Sequence, residues 1–228
     1  MFKKWFVYGA AALMLGCGAL TVRAELNAED WRAAAEKGDA AAQFNLALCY
    51  RKGWGVEPDK EKAVYWYRKA AEQGNAAAQC NLGFCYEKGQ GVPKDLEKAV
   101  YWYRKAAEQG MKQAQFNLAL CYKNGDGVES DKEKAVYWYR KAAEQGFAPA
   151  QNNLGHLYYG TDNEKAAFWL RKAAEQGYAK AQYHLGMCYK NGWGVPKDRE
   201  KARYWLRKAA EQGHGAAKAL LKMMRYER

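Results

Sequence analysis

The chain is poor in the residues from which active sites are usually built. It has three histidines in 228 residues, and Ser130 is its only serine, so a Ser-His-acid set is hard to assemble. The histidines (His156, His184 and His214) stand far apart in the sequence, and there is no Cys-x-x-Cys to supply the clustered ligands of structural zinc. We therefore expect no catalytic residue, no cofactor and no metal site.

Long apolar runs are also missing, except at the N-terminus. Met1–Lys4 is a short basic stretch, Trp5–Leu20 is apolar but short and rich in Gly and Ala, and Val22-Arg23-Ala24 places small residues before Glu25. This layout is typical of a signal peptide cleaved after Ala24, which predicts a periplasmic or secreted chain without a stable membrane span. Two alternatives remain open, an uncleaved anchor and a lipoprotein with a lipidated Cys17.

The chain is basic, with a formal net charge of +12 at pH 7. Its charges recur evenly along the sequence instead of clustering, which favours solvated lysine-rich helix faces over a nucleic-acid interface. An exported chain also rarely meets nucleic acid. We expect no nucleic-acid partner.

An internal repeat dominates the sequence. Ala-Val-Tyr-Trp-Tyr-Arg-Lys-Ala-Ala-Glu-Gln-Gly occurs at 63–74, 99–110 and 135–146, and diverged copies end at Gly177 and Gly213. The step is 36 residues, except that the fourth copy is five residues shorter. Repeats of this period indicate stacked supersecondary units. The predicted segments are a capping helix at 25–37, five repeats at 38–74, 75–110, 111–146, 147–177 and 178–213, and a second capping helix at 214–228.

Each repeat is predicted to form two helices, here called the first and the second helix. In the first repeat, Ala42, Leu46 and Tyr50 mark one face of the first helix, which ends at Gly53. The second helix begins after the N-cap Asp59. A small residue at one first-helix position (Ala47, Gly83, Ala119, Gly155, Gly186) lets the second helix approach, and the aromatic at Trp66 and its equivalents is expected to fill the gap between hairpins. One hairpin cannot bury this face alone, so the hairpins must stack.

The motifs resemble the Sel1-like repeat, a relative of the tetratricopeptide repeat. The second repeat carries the pattern almost completely: Ala78-Gln79, Leu82-Gly83, Tyr86, Gly89-Gln90-Gly91-Val92, Asp95, Lys98-Ala99, Trp102-Tyr103 and Lys105–Gly110. The resemblance covers residues 38–213, and the fourth repeat departs from it by losing Gly-x-Gly-Val. It implies an all-α, right-handed superhelical solenoid of stacked hairpins, whose concave face is lined by first helices, and an adaptor or scaffold role.

By analogy with tetratricopeptide units, the concave face takes the residues two before and two after the core leucine of each first helix. These predicted groove residues are Phe44, Leu48, Cys80, Phe84, Phe116, Leu120, Asn152, His156, Tyr183 and Met187. Arg51, Glu87, Lys123, Tyr159 and Lys190 would flank them. An apolar groove with a polar rim suits a peptide or a helix. The alternative is that these residues are simply core.

Five cysteines remain after the predicted cleavage, and four of them share one repeat position: Cys49, Cys85, Cys121 and Cys188. Stacked equivalents should be about 10 Å apart, too far for a disulfide. We interpret these cysteines as buried small apolar residues, with Cys80 as the one that would be reactive if exposed. Some cysteine-rich relatives link the two helices of a hairpin by a disulfide, but here no second helix contains a cysteine.

The sequence thus predicts an exported scaffold that binds a protein or peptide through its concave face. Two alternatives remain. One is a weak hydrolase, since a few cysteine-rich relatives are described as binding or hydrolysing β-lactams. The other is a secreted virulence factor that binds a host protein. Partner identity and oligomeric state do not follow from the sequence.

Overall fold

The computed structural model describes residues 28–226, and these residues are helical apart from turns and loops. The predicted cleavage site, Cys17 and the rest of the N-terminal segment lie outside the described residues. The all-α fold class of stacked helical hairpins is confirmed. None of the helices in this described part is long and apolar enough to cross a membrane.

The described part of the chain divides into two compact units, with the boundary between Gln109 and Gly110. In the first unit every helix packs against its neighbours in the chain. Its helices are α1 (Ala28–Glu36), α2 (Ala40–Lys52), α3 (Lys60–Glu72), α4 (Ala76–Lys88) and α5 (Leu96–Glu108). The first helices α2 and α4 pair with the second helices α3 and α5 as two hairpins.

The second unit is built in the same way, from three hairpins and a final helix that packs on α11. Its helices are α6 (Lys112–Asn124), α7 (Lys132–Glu144), α8 (Ala148–Tyr158), α9 (Asn163–Glu175), α10 (Ala179–Asn191), α11 (Arg199–Glu211) and α12 (Gly215–Tyr226). The first helix of the fourth repeat, α8, has 11 residues where the other first helices have 13.

Each second helix begins at an aspartate whose side chain caps it. The Asp59 Oδ1 atom accepts a hydrogen bond from the backbone N–H of Lys62 at 2.8 Å, and Asp59 Oδ2 pairs with Lys62 Nζ at 3.1 Å. The same pair of contacts recurs at Asp95, Asp131, Asp162 and Asp198. Capping satisfies backbone donors that have no partner inside the helix, which fixes where each second helix starts.

A row of glutamines, here called the glutamine seam, joins successive hairpins. Gln79 on α4 is 4% exposed; its Nε2 donates to the Ala71 carbonyl of the preceding hairpin at 3.0 Å, and its Oε1 accepts from Gln109 Nε2 at 2.7 Å. Gln43, Gln151 and Gln182 make the same two kinds of bond. The Ala-Gln and Glu-Gln-Gly motifs are therefore two halves of one partly buried contact.

Within a hairpin, the small first-helix residue makes room for a side chain of the second helix. In the first three repeats the gap opposite it is filled by Tyr67, Tyr103 and Tyr139, which are fully buried. A Cβ atom at Gly83 would lie 2.8 Å from Tyr103 Cδ1, which explains the glycine. Trp66 is only half-buried and packs edge-on against Tyr65, with ring centroids 5.0 Å apart.

Candidate interaction face on the first helices

The predicted groove residues lie beside the core leucine of each first helix, and together they are here called the first-helix face. On the same helices the core leucines (Leu46, Leu82, Leu118, Leu154 and Leu185) are fully buried. Most residues of the face keep part of their side chain accessible to solvent, whereas Cys80 and Asn152 are buried, at 8% and 4% exposed.

In the first unit the face is apolar in the middle and charged at one edge. Phe44, Leu48 and Phe84 are half-buried, and the Phe44 ring lies 6.0 Å from that of Tyr67. At the edge, Arg51 Nη1 donates to Asn81 Oδ1 at 3.0 Å, and Glu87 Oε2 accepts from the Tyr103 hydroxyl at 2.7 Å. The two flanking charges are therefore held in place by neighbouring hairpins and core tyrosines.

Cys80 differs from the other residues in this part of the face because its side chain is buried. Burial raises the pKa of its thiol to about 12, so the thiolate that reacts with oxidants or electrophiles is rare at neutral pH. Burial likewise raises the pKa of Cys49, Cys85 and Cys188 to about 11. All five cysteines in the described part are buried, and Cys49, Cys80, Cys85 and Cys188 form no disulfide. The geometry gives Cys80 no reactive role.

In the second unit the face begins with aromatic residues. Phe116 packs against Tyr139 and Phe147, with ring centroids 5.7 and 5.4 Å apart, and Leu120 lies one turn further along α6. The Tyr139 hydroxyl accepts a hydrogen bond from Asn153 Nδ2 at 3.2 Å, and burial raises its pKa to about 12. Phe116 is thus both a face residue and a packing partner.

Further along the second unit the face becomes polar. His156 and His184 are far apart in the sequence but meet in space: His156 Nε2 lies 3.0 Å from His184 Nδ1, and the two rings meet edge to face with centroids 4.0 Å apart. Asn152 Oδ1 lies 3.2 Å from His184 Nδ1. His214 stacks on Tyr183 at 4.7 Å, and Met187 is half-buried on the same helix as Tyr183.

The environment disfavours the charged form of both histidines of this contact. Burial, followed by repulsion from His156, His214 and Lys180, lowers the pKa of His184 to about 3. Desolvation and the nearby charge of Lys123 lower the pKa of His156. Among the residues that the structure describes, no group of three or more His, Cys, Asp or Glu side chains could hold a metal ion.

Sequence reasoning missed His184 and His214 as face residues. The repeat alignment contained the signal, because His184 directly precedes the core Leu185 and His156 follows the core Leu154 by two positions. It also missed a row of half-exposed aromatics on the second helices: Tyr65, Tyr101, Tyr137, Phe168 and Tyr204.

Comparison with known proteins identifies the repeat. The Sel1 repeat model matches residues 40–75, 76–111, 112–147, 148–178 and 179–214. No curated protein matches the chain.

Several solved structures are similar. A Sel1 repeat protein from Oxalobacter formigenes is 38% identical with a TM-score of 0.78, the match covering 86% of this chain and 58% of that one. A protective antigen of uropathogenic Escherichia coli strains is 43% identical with a TM-score of 0.84, covering 88% of this chain and 44% of that one. The immunity protein PA5088 from Pseudomonas aeruginosa is 29% identical with a TM-score of 0.51, covering 84% and 71%.

This chain therefore spans less than two thirds of the length of the first two relatives. The family model nevertheless matches five consecutive repeats, which together make up most of the sequence. The Sel1-repeat fold is typical of scaffolds for protein–protein interaction. The chain belongs to the Sel1 repeat family.

Proposed function

We propose that the chain is an exported scaffold that binds a protein or peptide partner through the first-helix face. The observation that carries the proposal is the contrast between neighbouring positions on the same helices. The core leucines are fully buried in all five repeats, while Phe44, Leu48 and Phe84 beside them remain half-buried. Large apolar side chains that a fold leaves accessible in a row tend to be contact surfaces.

Variation between repeats points in the same direction. The seam glutamine and the core leucine are the same residue in every repeat, whereas the face position two before the leucine is Phe44, Cys80, Phe116, Asn152 and Tyr183 in turn. All five hairpins pack in the same way, which requires the same residues at the packing positions. A face that changes along the array fits a partner whose own surface changes along its length.

The chemistry of the face favours a polypeptide partner. Aromatic and aliphatic side chains supply contact area, and Arg51 and Glu87 are positioned at the edge by hydrogen bonds to Asn81 and Tyr103. This combination of an apolar centre and an oriented polar rim is how grooves bind helices and extended peptides. Export is proposed from the N-terminal sequence alone.

The test compares the wild-type chain with Phe84→Asp in crosslinked pull-downs from the envelope fraction of the native host. Phe84 is half-buried, so the substitution is expected to abolish partner bands while the helical circular dichroism stays unchanged. Tyr65→Asp is the matched control, because Tyr65 is a half-exposed aromatic on a second helix, outside the face. Loss of the bands in both variants, or their retention in Phe84→Asp, would contradict the proposal. If Phe84→Asp unfolds, Phe84→Ser replaces it.

A further inference from the structure

The Gly-x-Gly-Val loop packs on the start of the second helix of the preceding hairpin, and this contact surface is here called its seat. In the first unit, Gly91 lies so close to the start of α3 that an added Cβ atom would collide with the Lys60 carbonyl. In the second unit, Gly194 lies in the same way on the start of α9, against the Asn163 carbonyl. Each loop therefore covers the first turn of the second helix before it, and only a glycine fits the contact.

The seat also has an apolar part, at the fifth residue of the helix, which opens with Lys-Glu-Lys-Ala-Val in α3 and Asn-Glu-Lys-Ala-Ala in α9. Val64 on α3 is 3% exposed, and its equivalent on α9, Ala167, is 1% exposed. The loop valines, Val92 and Val195, are themselves half-buried. A seat consists of helix backbone that admits a glycine and an apolar side chain buried beside it.

The fourth repeat lacks this loop, and the seat on α7 shows the consequence. Its short turn retains one glycine, Gly160, but an added Cβ there would meet no atom of the described structure within 4 Å. Val136, the equivalent of Val64, is only half-buried. The seat lies within the second unit, and Gly160 of the repeat that follows does not occupy it.

The neighbouring tyrosine shows the same opening. Tyr86 and Tyr189 are each 8% exposed, whereas their equivalent Tyr158, in the repeat that lost its loop, is half-buried. Arg140 Nη2 donates to the Tyr158 hydroxyl at 2.5 Å, so this side chain is held in the arrangement found in the intact repeats, where Arg171 bonds Tyr189. The hydrogen bond from Arg140 therefore holds the Tyr158 side chain in place next to the open seat.

We infer that the start of α7 is a docking site for a Gly-x-Gly-Val type of turn supplied by a partner polypeptide. The occupant is defined by what fills the equivalent seats on α3 and α9: a glycine that approaches the helix backbone, followed by a β-branched apolar residue beside Val136. A membrane or a polysaccharide would not need the close backbone approach that this seat provides. The inference rests on packing in the other repeats and does not depend on the first-helix face.

The probe is a synthetic peptide that copies Asn191–Asp198 (Asn-Gly-Trp-Gly-Val-Pro-Lys-Asp) with blocked ends. It is titrated into the isotopically labelled chain while backbone amide NMR signals are followed. Saturable shifts are expected at residues 132–136 and 158–160. The control peptide has alanine in place of the second glycine and should bind at least about tenfold more weakly, because its Cβ collides with the helix backbone.

A loop-repaired protein provides the matched control. Replacing Gly160 and Thr161 by the seven residues 191–197 restores the length of the intact repeats and keeps Tyr159, whose ring packs against Trp193 at 5.0 Å. The repaired chain should lose its response to the peptide and melt at a higher temperature. If it does not fold, Val136→Lys serves as the second variant. The inference is overturned if millimolar peptide gives no localised shifts, if the alanine peptide binds equally well, or if the folded variant still responds.

Discussion

The glutamine seam and the first-helix face lie on the same helices, yet they differ in almost every respect. The seam glutamines are identical in all repeats and at most 4% exposed, and Gln79 is bonded to both neighbouring second helices. The face residues differ from repeat to repeat and are mostly half-buried. The difference shows how a repeat protein separates its two tasks: positions that join hairpins are fixed by a contact that never changes, and positions beside them are left to vary.

The largest effect is expected from breaking the seam. Gln79→Leu removes the donor to the Ala71 carbonyl and the acceptor for Gln109, so both hydrogen bonds of this buried glutamine to neighbouring hairpin helices are lost. The free energy of unfolding should fall by about 2–3 kcal/mol, measured by urea denaturation. Gln109→Ala, which removes the exposed half of the same contact, should cost less. A loss in Gln79→Leu no greater than that in Gln109→Ala would show that the seam does not join the hairpins.

A smaller effect separates two core tyrosines that occupy the same repeat position. The buried Tyr67 hydroxyl has no hydrogen-bond partner among residues 28–226, whereas the Tyr103 hydroxyl donates to Glu87 at 2.7 Å. Tyr103→Phe should therefore lower the free energy of unfolding by about 1–2 kcal/mol, and Tyr67→Phe should leave it unchanged or raise it. Thermal unfolding of both variants checks the contrast, and equal losses would contradict it.

The smallest effect concerns the helix caps, and it depends on pH. Hydrogen bonds from the Lys98 side chain and backbone lower the pKa of Asp95 below its ordinary value of 3.8. Because the folded-state pKa is the lower one, the stabilisation is present above the unfolded pKa and is lost as the pH falls through the folded pKa. Urea midpoints of wild type and Asp95→Asn should thus differ at pH 7 and converge in acid. A constant difference would rule out the carboxylate as its source.

Sequence periodicity was sufficient to predict the helices, because cap aspartates, terminal glycines and core leucines act locally and recur at one spacing. It could not show which side chain faces the small residue on the partner helix, because Trp66 and Tyr67 are adjacent and only their distances to that residue decide between them. The face was predicted as a row of positions, but the contact between His156 and His184 depends on how neighbouring first helices align. That alignment is a property of the packed hairpins.

Cys80 shows the same limit on what the sequence can predict. Its type and position could be read from the repeat, but its burial, and with it the raised thiol pKa, comes from neighbouring helices. The shortened fourth repeat is a second example of this limit. The deletion is plain in the sequence, but the half-buried Val136 that it leaves behind is visible only once the seats on α3 and α9 are known.

The seam also bears on how the chain folds as it is synthesised. At Gln79 the two bonds of the seam reach back 8 residues to Ala71 and forward 30 residues to Gln109, and at Gln151 the forward reach is 25 residues. Contacts this close in sequence carry a small loop-closure cost, and proteins dominated by them fold quickly. Each new hairpin can therefore dock on the last one as soon as its own second helix has emerged, without waiting for the distant end of the chain.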